Sequence, residues 1–285
     1  MAEHITKVLS GKGLAAKIRT DLKRKISQSR IRPGLAVILV GHDPASQVYV
    51  KFKSEASEEV GMYLETIELP EDVPQQRLLK IIQKLNRSKK IHGILVQLPL
   101  PDHLEPFDVM AAIDPMKDVD GFHPENTGWL SIGRPHMVPA TTLGIWQLIR
   151  SVQMDVAGKH VVIVGKSNIV GKPTATLLLN KGATVTVCSR STADLSKQTL
   201  QADILISATG VPNLITADMV KPNAMVIDAG ISKRQGRVVG DVDYDAVAEV
   251  AKYISPVPGG VGPMTVAALL QNTWRAMRHI EGFTE

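Results

Sequence analysis

Two kinds of apolar pattern alternate along the chain. Leu14, Ile18, Leu22 and Ile26 recur every fourth residue and predict an amphipathic helix. Its other face carries the basic residues between Lys17 and Arg32. Leu35–Val40 is instead an unbroken apolar run, as expected of a strand buried on both faces. Asp43 and Pro44 then supply an N-cap and a proline at the first helical position, opening a helix that should reach about Glu59. On this helix Ala45, Val48, Phe52 and Ala56 form the predicted buried stripe. A strand near Tyr63–Glu68, a helix near Gln75–Asn86 and a strand at Gly93–Gln97 complete a βαβαβ order. That order predicts a parallel sheet with right-handed crossovers.

From Pro99 to Pro139 the chain is rich in Pro, Gly and Asp and only weakly periodic. A loop this long in a compact domain is usually functional or interdomain. A helix from about Thr142 to Val152 leads into a second α/β unit. Its predicted strands are His160–Val164, Thr184–Val187, Ile204–Ser207, Met225–Asp228 and Tyr253–Ser255. A last helix begins at Pro263, with Val266, Leu269, Leu270 and Thr273 on its apolar face.

Composition narrows the class. The 285 residues suit two domains. An apolar content of 44% excludes a disordered chain, and with aromatics at only 4% the cores must be aliphatic. The single cysteine, Cys188, excludes an internal disulfide framework and a Cys-rich zinc module. No apolar run reaches the roughly 18–20 residues of a membrane span, so no membrane association is expected. The first residues lack a basic segment followed by an apolar one, so the cytoplasm is the expected compartment. The net charge of +5 is spread out and not gathered in a patch, which argues against a nucleic-acid partner and suits an anionic small molecule.

His160 to Pro173 reads as an apolar strand, a glycine turn and a helix start. Glycines in such a turn let the backbone approach a phosphate at the helix N-terminus. The pattern, Gly165-x-Ser167-x-x-x-Gly171, departs from GxGxxG. It is not a P-loop either: the glycine spacing is wrong, and Pro173 stands where Ser or Thr should follow Lys172. Alone, the turn also reads as a tight connection without a ligand. The next strand ends Ser189-Arg190-Ser191-Thr192, with no acid to receive a ribose 2′-hydroxyl. A guanidinium there can fork onto a 2′-phosphate, and Lys166 adds charge nearby, so NADP is favoured over NAD. The plain alternative is that Arg190 is an ordinary surface residue.

In the first unit, Tyr49 and Lys53 lie one turn apart on the edge of the predicted stripe. A lysine at such a rim can have its pKa lowered by desolvation and serve as a proton carrier. A lysine that merely snorkels is the plain alternative. Gln97 closes a buried strand at its carboxyl end, where open α/β sheets bind ligands. Asp118 and Asp120 offer two acids in a turn, suited to a cationic or amidine-like group. The eight histidines show no ligand spacing, so no metal is expected.

Taken together, these segments resemble the bifunctional methylenetetrahydrofolate dehydrogenase/methenyltetrahydrofolate cyclohydrolase family over essentially the whole length. The carriers are Tyr49-x-x-x-Lys53, the segment Val96 to Pro101, the segment Lys117 to Pro124, Gly165 to Gly171, Asp228 to Ile231, and Pro256 to Thr265. The resemblance implies two α/β domains facing across a cleft, the second a Rossmann-like NAD(P)-binding domain. Expected bounds are 1–141 for the folate-binding catalytic domain, with a C-terminal helix of about 264–285 packing back on it, and 142–285 for the NADP-binding domain.

By similarity Lys53 is the catalytic lysine, Tyr49 contacts the folate, Gln97 tunes the lysine and Asp120 holds the pterin ring. Leu98, Pro99, Pro258, Gly259, Gly260, Pro263 and Thr265 are implied on the folate side. Gly165, Lys166, Ser167, Ile169 and Ile231 match cofactor-contacting positions, beside the Arg190 read from the strand end. The family is commonly homodimeric. The implied activity is NADP-dependent oxidation of 5,10-methylenetetrahydrofolate, then hydrolysis of the methenyl product to 10-formyltetrahydrofolate. The rivals are a dehydrogenase without hydrolase activity and a catalytically silent, basic nucleotide- or RNA-binding protein.

Three departures stand out. Ala140 replaces the family's usual linker cysteine, and Glu55 stands where many relatives carry a second lysine, from which it is expected to raise the pKa of Lys53 modestly. The end of the second strand reads Ser189-Arg190-Ser191 where the family commonly has His-Ser-Arg.

Overall fold

Strand order distinguishes the two halves of the molecule. A computed structural model describes residues 6–234 and 236–283. In chain order the first elements are β1 (Lys7–Val8), α1 (Gly11–Ser27), β2 (Gly34–Val40), α2 (Pro44–Glu59), β3 (Tyr63–Leu69), α3 (Gln75–Arg87) and β4 (Gly93–Val96). Next come α4 (Pro106–Ala111), α5 (Pro124–Ser131), α6 (Ala140–Ser151), β5 (His160–Val164), α7 (Gly171–Asn180) and β6 (Thr184–Cys188). The chain continues through α8 (Leu195–Thr199), β7 (Ile204–Ser207), β8 (Met225–Asp228), β9 (Ser232–Arg234) and β10 (Arg237–Val239). It ends with α9 (Tyr244–Ala248), β11 (Tyr253–Ile254) and α10 (Val261–Ile280).

One unit holds residues 16–140 and the chain from Val266 onward. Its sheet is parallel, in the order β3-β2-β4. The central strand β2 is buried along its whole length, as its unbroken apolar run requires. Ile38 and Val40 of β2 and Ile94 and Val96 of β4 pack with Leu78, Ile82 and Leu85 of α3. A second cluster joins Leu22 and Ile26 of α1 to Val60, Met62, Val266 and Leu270, so the last helix packs on this unit.

The other unit holds the described residues up to Ala15 together with Thr141–Thr265. Its six strands run parallel in the order β1-β11-β8-β7-β5-β6. Leaving aside β1, the sequence order is 2-1-3-4-5, a doubly wound sheet whose direction of winding reverses between β5 and β7. Val162, Val164, Leu205, Val226 and Ile254 form part of its core.

The structure differs from the sequence pattern at three places. Val48 and Phe52, expected in the buried stripe of α2, are 47% and 54% exposed. The helix instead buries Ser46, Val50, Lys53, Ala56 and Ser57. A polar face goes inward because its groups find partners there: the Ser57 hydroxyl donates to the Lys53 carbonyl at 2.7 Å. The side chain of Ala45 lies outside those described. Second, the segment from Pro99 to Pro139 contains α4 and α5, each with proline in its first turn and a side-chain cap from Glu105 or His123. Neither is long enough to display a 3.6-residue period. Third, the leading strand β1 pairs with β11, so the chain up to Ala15 belongs to the six-stranded unit and not to the one that follows it in sequence.

Candidate active site

Helix α2 is anchored at its start by Asp43, whose carboxylate accepts from Ser46 N at 2.7 Å, with Pro44 in its first turn. This places Lys53 on the buried face, only 6% exposed. Its Nζ donates to Gln97 Oε1 at 3.0 Å. Gln97 is the first residue past β4, and its backbone N–H continues the ladder to Ile38 O at 2.9 Å. Its Nε2 donates to Leu98 O at 2.7 Å, which leaves Oε1 facing the lysine. Leu98 is partly buried and Pro99 exposed, joined by a cis peptide. Tyr49, one turn before Lys53, is partly buried, and burial pushes its phenol pKa up.

Burial lowers the Lys53 pKa, and the charge of Asp120 pulls it back up. The Asp120 carboxyl is raised by burial and pulled down by Lys53. Glu55 plays no part in this balance: it is exposed and faces Lys51 at 3.8 Å. The expected effect of Glu55 on Lys53 is therefore replaced by that of Asp120.

The two acids of the turn do different jobs. Asp118 is buried and accepts from Gly121 N at 3.0 Å, His123 N at 2.8 Å and Asn126 Nδ2 at 2.9 Å. It builds the turn, and Asp120 is the acid left for the site. Lys117 holds the other side, its Nζ donating to the carbonyls of Leu85, Asn86 and Ser88 at the end of α3. Gly121 sits at φ +78°, and a Cβ there would come 2.7 Å from Pro139 N, so this corner requires glycine. Asn272 of α10 donates to both Val119 O and Val138 O at 2.9 Å. Ala140 contributes its backbone N–H to Asp120 O at 3.3 Å, a bond that does not depend on the side chain at that position.

In the six-stranded unit, Gly165 follows β5 at φ +120°, where a Cβ would lie 2.4 Å from Ala208 O, beyond β7. A Cβ on Gly171 would lie 1.9 Å from Gly165 O, so this turn is closed by direct backbone approach at the reversal of the sheet. Ser167 Oγ accepts from Val170 N at 3.2 Å and Gly171 N at 3.4 Å. Lys166, Ser167, Ile169 and Arg190 are all exposed, and neither cation has an ion-pair partner among the described residues. At the end of β6, Ser189 N donates to Thr192 Oγ1 at 2.9 Å and the Ser189 and Ser191 hydroxyls share a 2.9 Å bond. The next acid, Asp194, is used as the cap of α8. Among the described residues no carboxylate therefore occupies the strand end where one would repel a 2′-phosphate. Ile231, 43% exposed, follows β8.

Pro258, Gly259 and Gly260 form the turn before α10, with Lys12 N donating to Gly259 O at 2.9 Å. Pro263 and Thr265 lie in the first turns of α10, where Thr265 Oγ1 donates to Val261 O at 3.2 Å. These residues belong to the six-stranded unit, whereas Tyr49, Lys53, Gln97, Leu98, Pro99 and Asp120 are brought together in the three-stranded one.

Neither Asn272 nor Asp241 stands out in the sequence as a functional residue. Asn272 is a polar residue in an otherwise apolar helix face, a signal available from the pattern. Asp241 follows Gly240 in a stretch with no other mark, and only the fold shows that it is fully buried.

Family models match both halves: the tetrahydrofolate dehydrogenase/cyclohydrolase catalytic domain over residues 9–120, and the NAD(P)-binding domain of the same name over residues 139–281. The bifunctional protein FolD of Exiguobacterium sibiricum is 53% identical over 274 residues, spanning 95% of this chain and 99% of that one. The crystal structure of the bifunctional FolD methylenetetrahydrofolate dehydrogenase/cyclohydrolase of Campylobacter jejuni is similar with a TM-score of 0.94 and 48% identity, over 96% of this chain and 99% of that one. The Trypanosoma brucei methylenetetrahydrofolate dehydrogenase-cyclohydrolase, solved with NADP and an inhibitor, gives 0.93 and 37% identity, over 97% of this chain and 98% of that one.

Proposed function

The chain belongs to the tetrahydrofolate dehydrogenase/cyclohydrolase family, and from that premise we propose how its residues divide the work. It is a bifunctional enzyme of folate one-carbon metabolism. It oxidises 5,10-methylenetetrahydrofolate with NADP⁺ and hydrolyses the methenyl product to 10-formyltetrahydrofolate.

When bound, NADP⁺ supplies the acceptor for the hydride leaving the folate methylene. Nitrogen lone pairs stabilise the cation left on the folate, so this step asks the protein mainly for positioning. Hydrolysis moves protons and needs a carrier. Lys53 is that carrier: burial disfavours its ammonium form, which suits the amine to take a proton from the attacking water. As the bond from the methenyl carbon to N5 breaks, the ammonium returns a proton to N5, and the hydroxyl left by the attacking water gives its remaining proton to solvent as the formyl carbonyl forms. Gln97 holds the amine in place through the 3.0 Å bond, which is the observation that carries this reading. Asp120 accepts from the amidine-like edge of the pterin, and Tyr49 lies against the folate rings. Leu98 and Pro99 add to the folate contacts of the three-stranded unit.

Gly165, Lys166, Ser167, Ile169 and Ile231 contact the dinucleotide, and Arg190 with Lys166 receives its 2′-phosphate. Their support is the tight glycine turn at the winding reversal and two unpaired cations beside a strand end free of carboxylate. The presence of Tyr49, Lys53 and Gln97 as one arrangement speaks against a chain that keeps the dehydrogenase alone. We further take the working form to be a cytoplasmic homodimer; among the described residues no helix is long and apolar enough to cross a membrane. The test is absorbance: NADPH formation from methylenetetrahydrofolate and NADP⁺, and separately the loss of methenyl absorbance without any nucleotide. Both signals are expected; NADPH formation without hydrolysis above background would restore the dehydrogenase-only alternative.

A further inference from the structure

Two fully or nearly buried carboxylates of the six-stranded unit interlock beneath the loops that end β7 and β8. Asp241 Oδ2 accepts from Ser207 Oγ at 2.8 Å, Thr209 N at 2.6 Å and Thr209 Oγ1 at 2.9 Å. Asp228 accepts from Gly230 N at 2.9 Å, Asp241 N at 3.1 Å and Val242 N at 2.9 Å. Each acid lies against the glycine beside the other. A Cβ on Gly230 would come 1.9 Å from Asp241 Oδ1, and one on Gly240 would come 1.9 Å from Asp228 Oδ2. Asp241 Oδ1 is buried with no hydrogen-bond partner among the described residues, although the residue is fully enclosed. A buried polar side chain with one bare oxygen costs stability, so this arrangement needs a reason beyond packing.

The loops it ties are those at the mouth of the sheet. Thr209 follows Ala208, whose carbonyl closes against Gly165 at the winding reversal, and Gly230 precedes Ile231. The Ser232 hydroxyl, donating to Gly210 O at 2.8 Å, ties the same two loops from the solvent side. We propose that Asp241 is a positioning residue for the dinucleotide: its Oδ2 holds the 207–210 loop, and its packing on Gly230 holds the 229–231 loop, at the spacing the cofactor requires. This rests on the assignment of the six-stranded unit to NADP. Asp241 itself touches no reacting atom and acts through Thr209 and Gly230.

Hydrolysis of the methenyl compound needs only water, so it reports on the fold independently of the dinucleotide. The experiment measures NADP⁺ affinity by calorimetric titration and nucleotide-free hydrolysis for the unvaried enzyme, Asp241→Ala, Asp241→Asn and Thr209→Val. Asp241→Ala is expected to weaken NADP⁺ by about ten-fold or more, as loss of the acceptor shared by the buried Ser207 hydroxyl and the two half-buried donors of Thr209 implies. Its hydrolysis should stay within about two-fold of the unvaried enzyme, a change too small to reflect lost structure. Asp241→Asn keeps an acceptor in the place of Oδ2 and sets its amide nitrogen in the place of the bare Oδ1, so it should restore most of the affinity. Thr209→Val, which keeps the backbone donor and loses one hydroxyl, should fall between and decides the matter if Asp241→Ala does not fold.

Equal NADP⁺ affinity in Asp241→Ala or, failing that variant, in Thr209→Val overturns the inference while leaving the cofactor assignment intact. Parallel loss of affinity and hydrolysis overturns it too, by making the residue structural. An unvaried enzyme that takes up no NADP⁺ removes the assignment and this inference together.

Discussion

Lys53 Nζ donates to Gln97 Oε1 at 3.0 Å, while the amide nitrogen of the same glutamine is committed to Leu98 O at 2.7 Å. The glutamine therefore offers the lysine an acceptor without a charge. Only the neutral amine accepts a proton, so hydrolysis should rise with pH as Lys53 deprotonates and then level off. Burial places that rise below the ordinary lysine value of 10.5. Gln97→Glu puts an anion where the amide oxygen was and favours the ammonium. The rise should then move to higher pH by about one unit or more. A pH profile of kcat for methenyl hydrolysis, corrected for the spontaneous reaction, checks this; a rise that stays put or moves down contradicts it.

Asp120 acts on the same amine from the other side. Its charge holds the Lys53 pKa up, so Asp120→Asn should move the rise to lower pH, opposite to Gln97→Glu. It should also weaken folate binding by about ten- to a hundred-fold, as expected for loss of a charge-assisted hydrogen bond. The paired readout is the pH profile and the folate Kd. A lower affinity with an unmoved profile would separate Asp120 from the lysine.

Arg190→Ala should weaken NADP⁺ by roughly 1.5–3 kcal/mol, about ten- to a hundred-fold, and leave NAD⁺ nearly unchanged. Titration of both dinucleotides distinguishes a phosphate contact from a structural role, in which both would weaken alike.

Asn272→Ala removes the donors to Val119 O and Val138 O and leaves two buried carbonyls on the segments flanking Asp120. The expected loss is about 2–4 kcal/mol in urea unfolding. A loss below about 0.5 kcal/mol would mean that water replaces the amide.

The strands were legible because β2, β4, β5, β7 and β8 carry runs of apolar residues that their two sheets bury. Lys53 and Gln97 stood out as chemistry-bearing residues at a helix rim and a strand end. The face of α2 did not, because hydrophobicity pointed to Val48 and Phe52 while burial went to Ser46, Lys53 and Ser57. A site that needs a buried lysine breaks the pattern on which the helix is read. Asp118 and Asp120 look equivalent in sequence, and only their hydrogen bonds separate the acid that builds the turn from the one that serves the site. The two-residue strand β1 carries no periodicity at all.

Lys53→Met keeps length and packing and removes the one titratable amine on the buried face of α2. The decisive measurement assays this variant twice, for methenyl hydrolysis without nucleotide and for NADPH formation from methylenetetrahydrofolate. Hydrolysis should fall to the uncatalysed rate, a loss of about 10²-fold or more for removal of a general base, while hydride transfer persists at a reduced rate. Hydrolysis at the rate of the unvaried enzyme would contradict the assignment of Lys53 as the proton carrier.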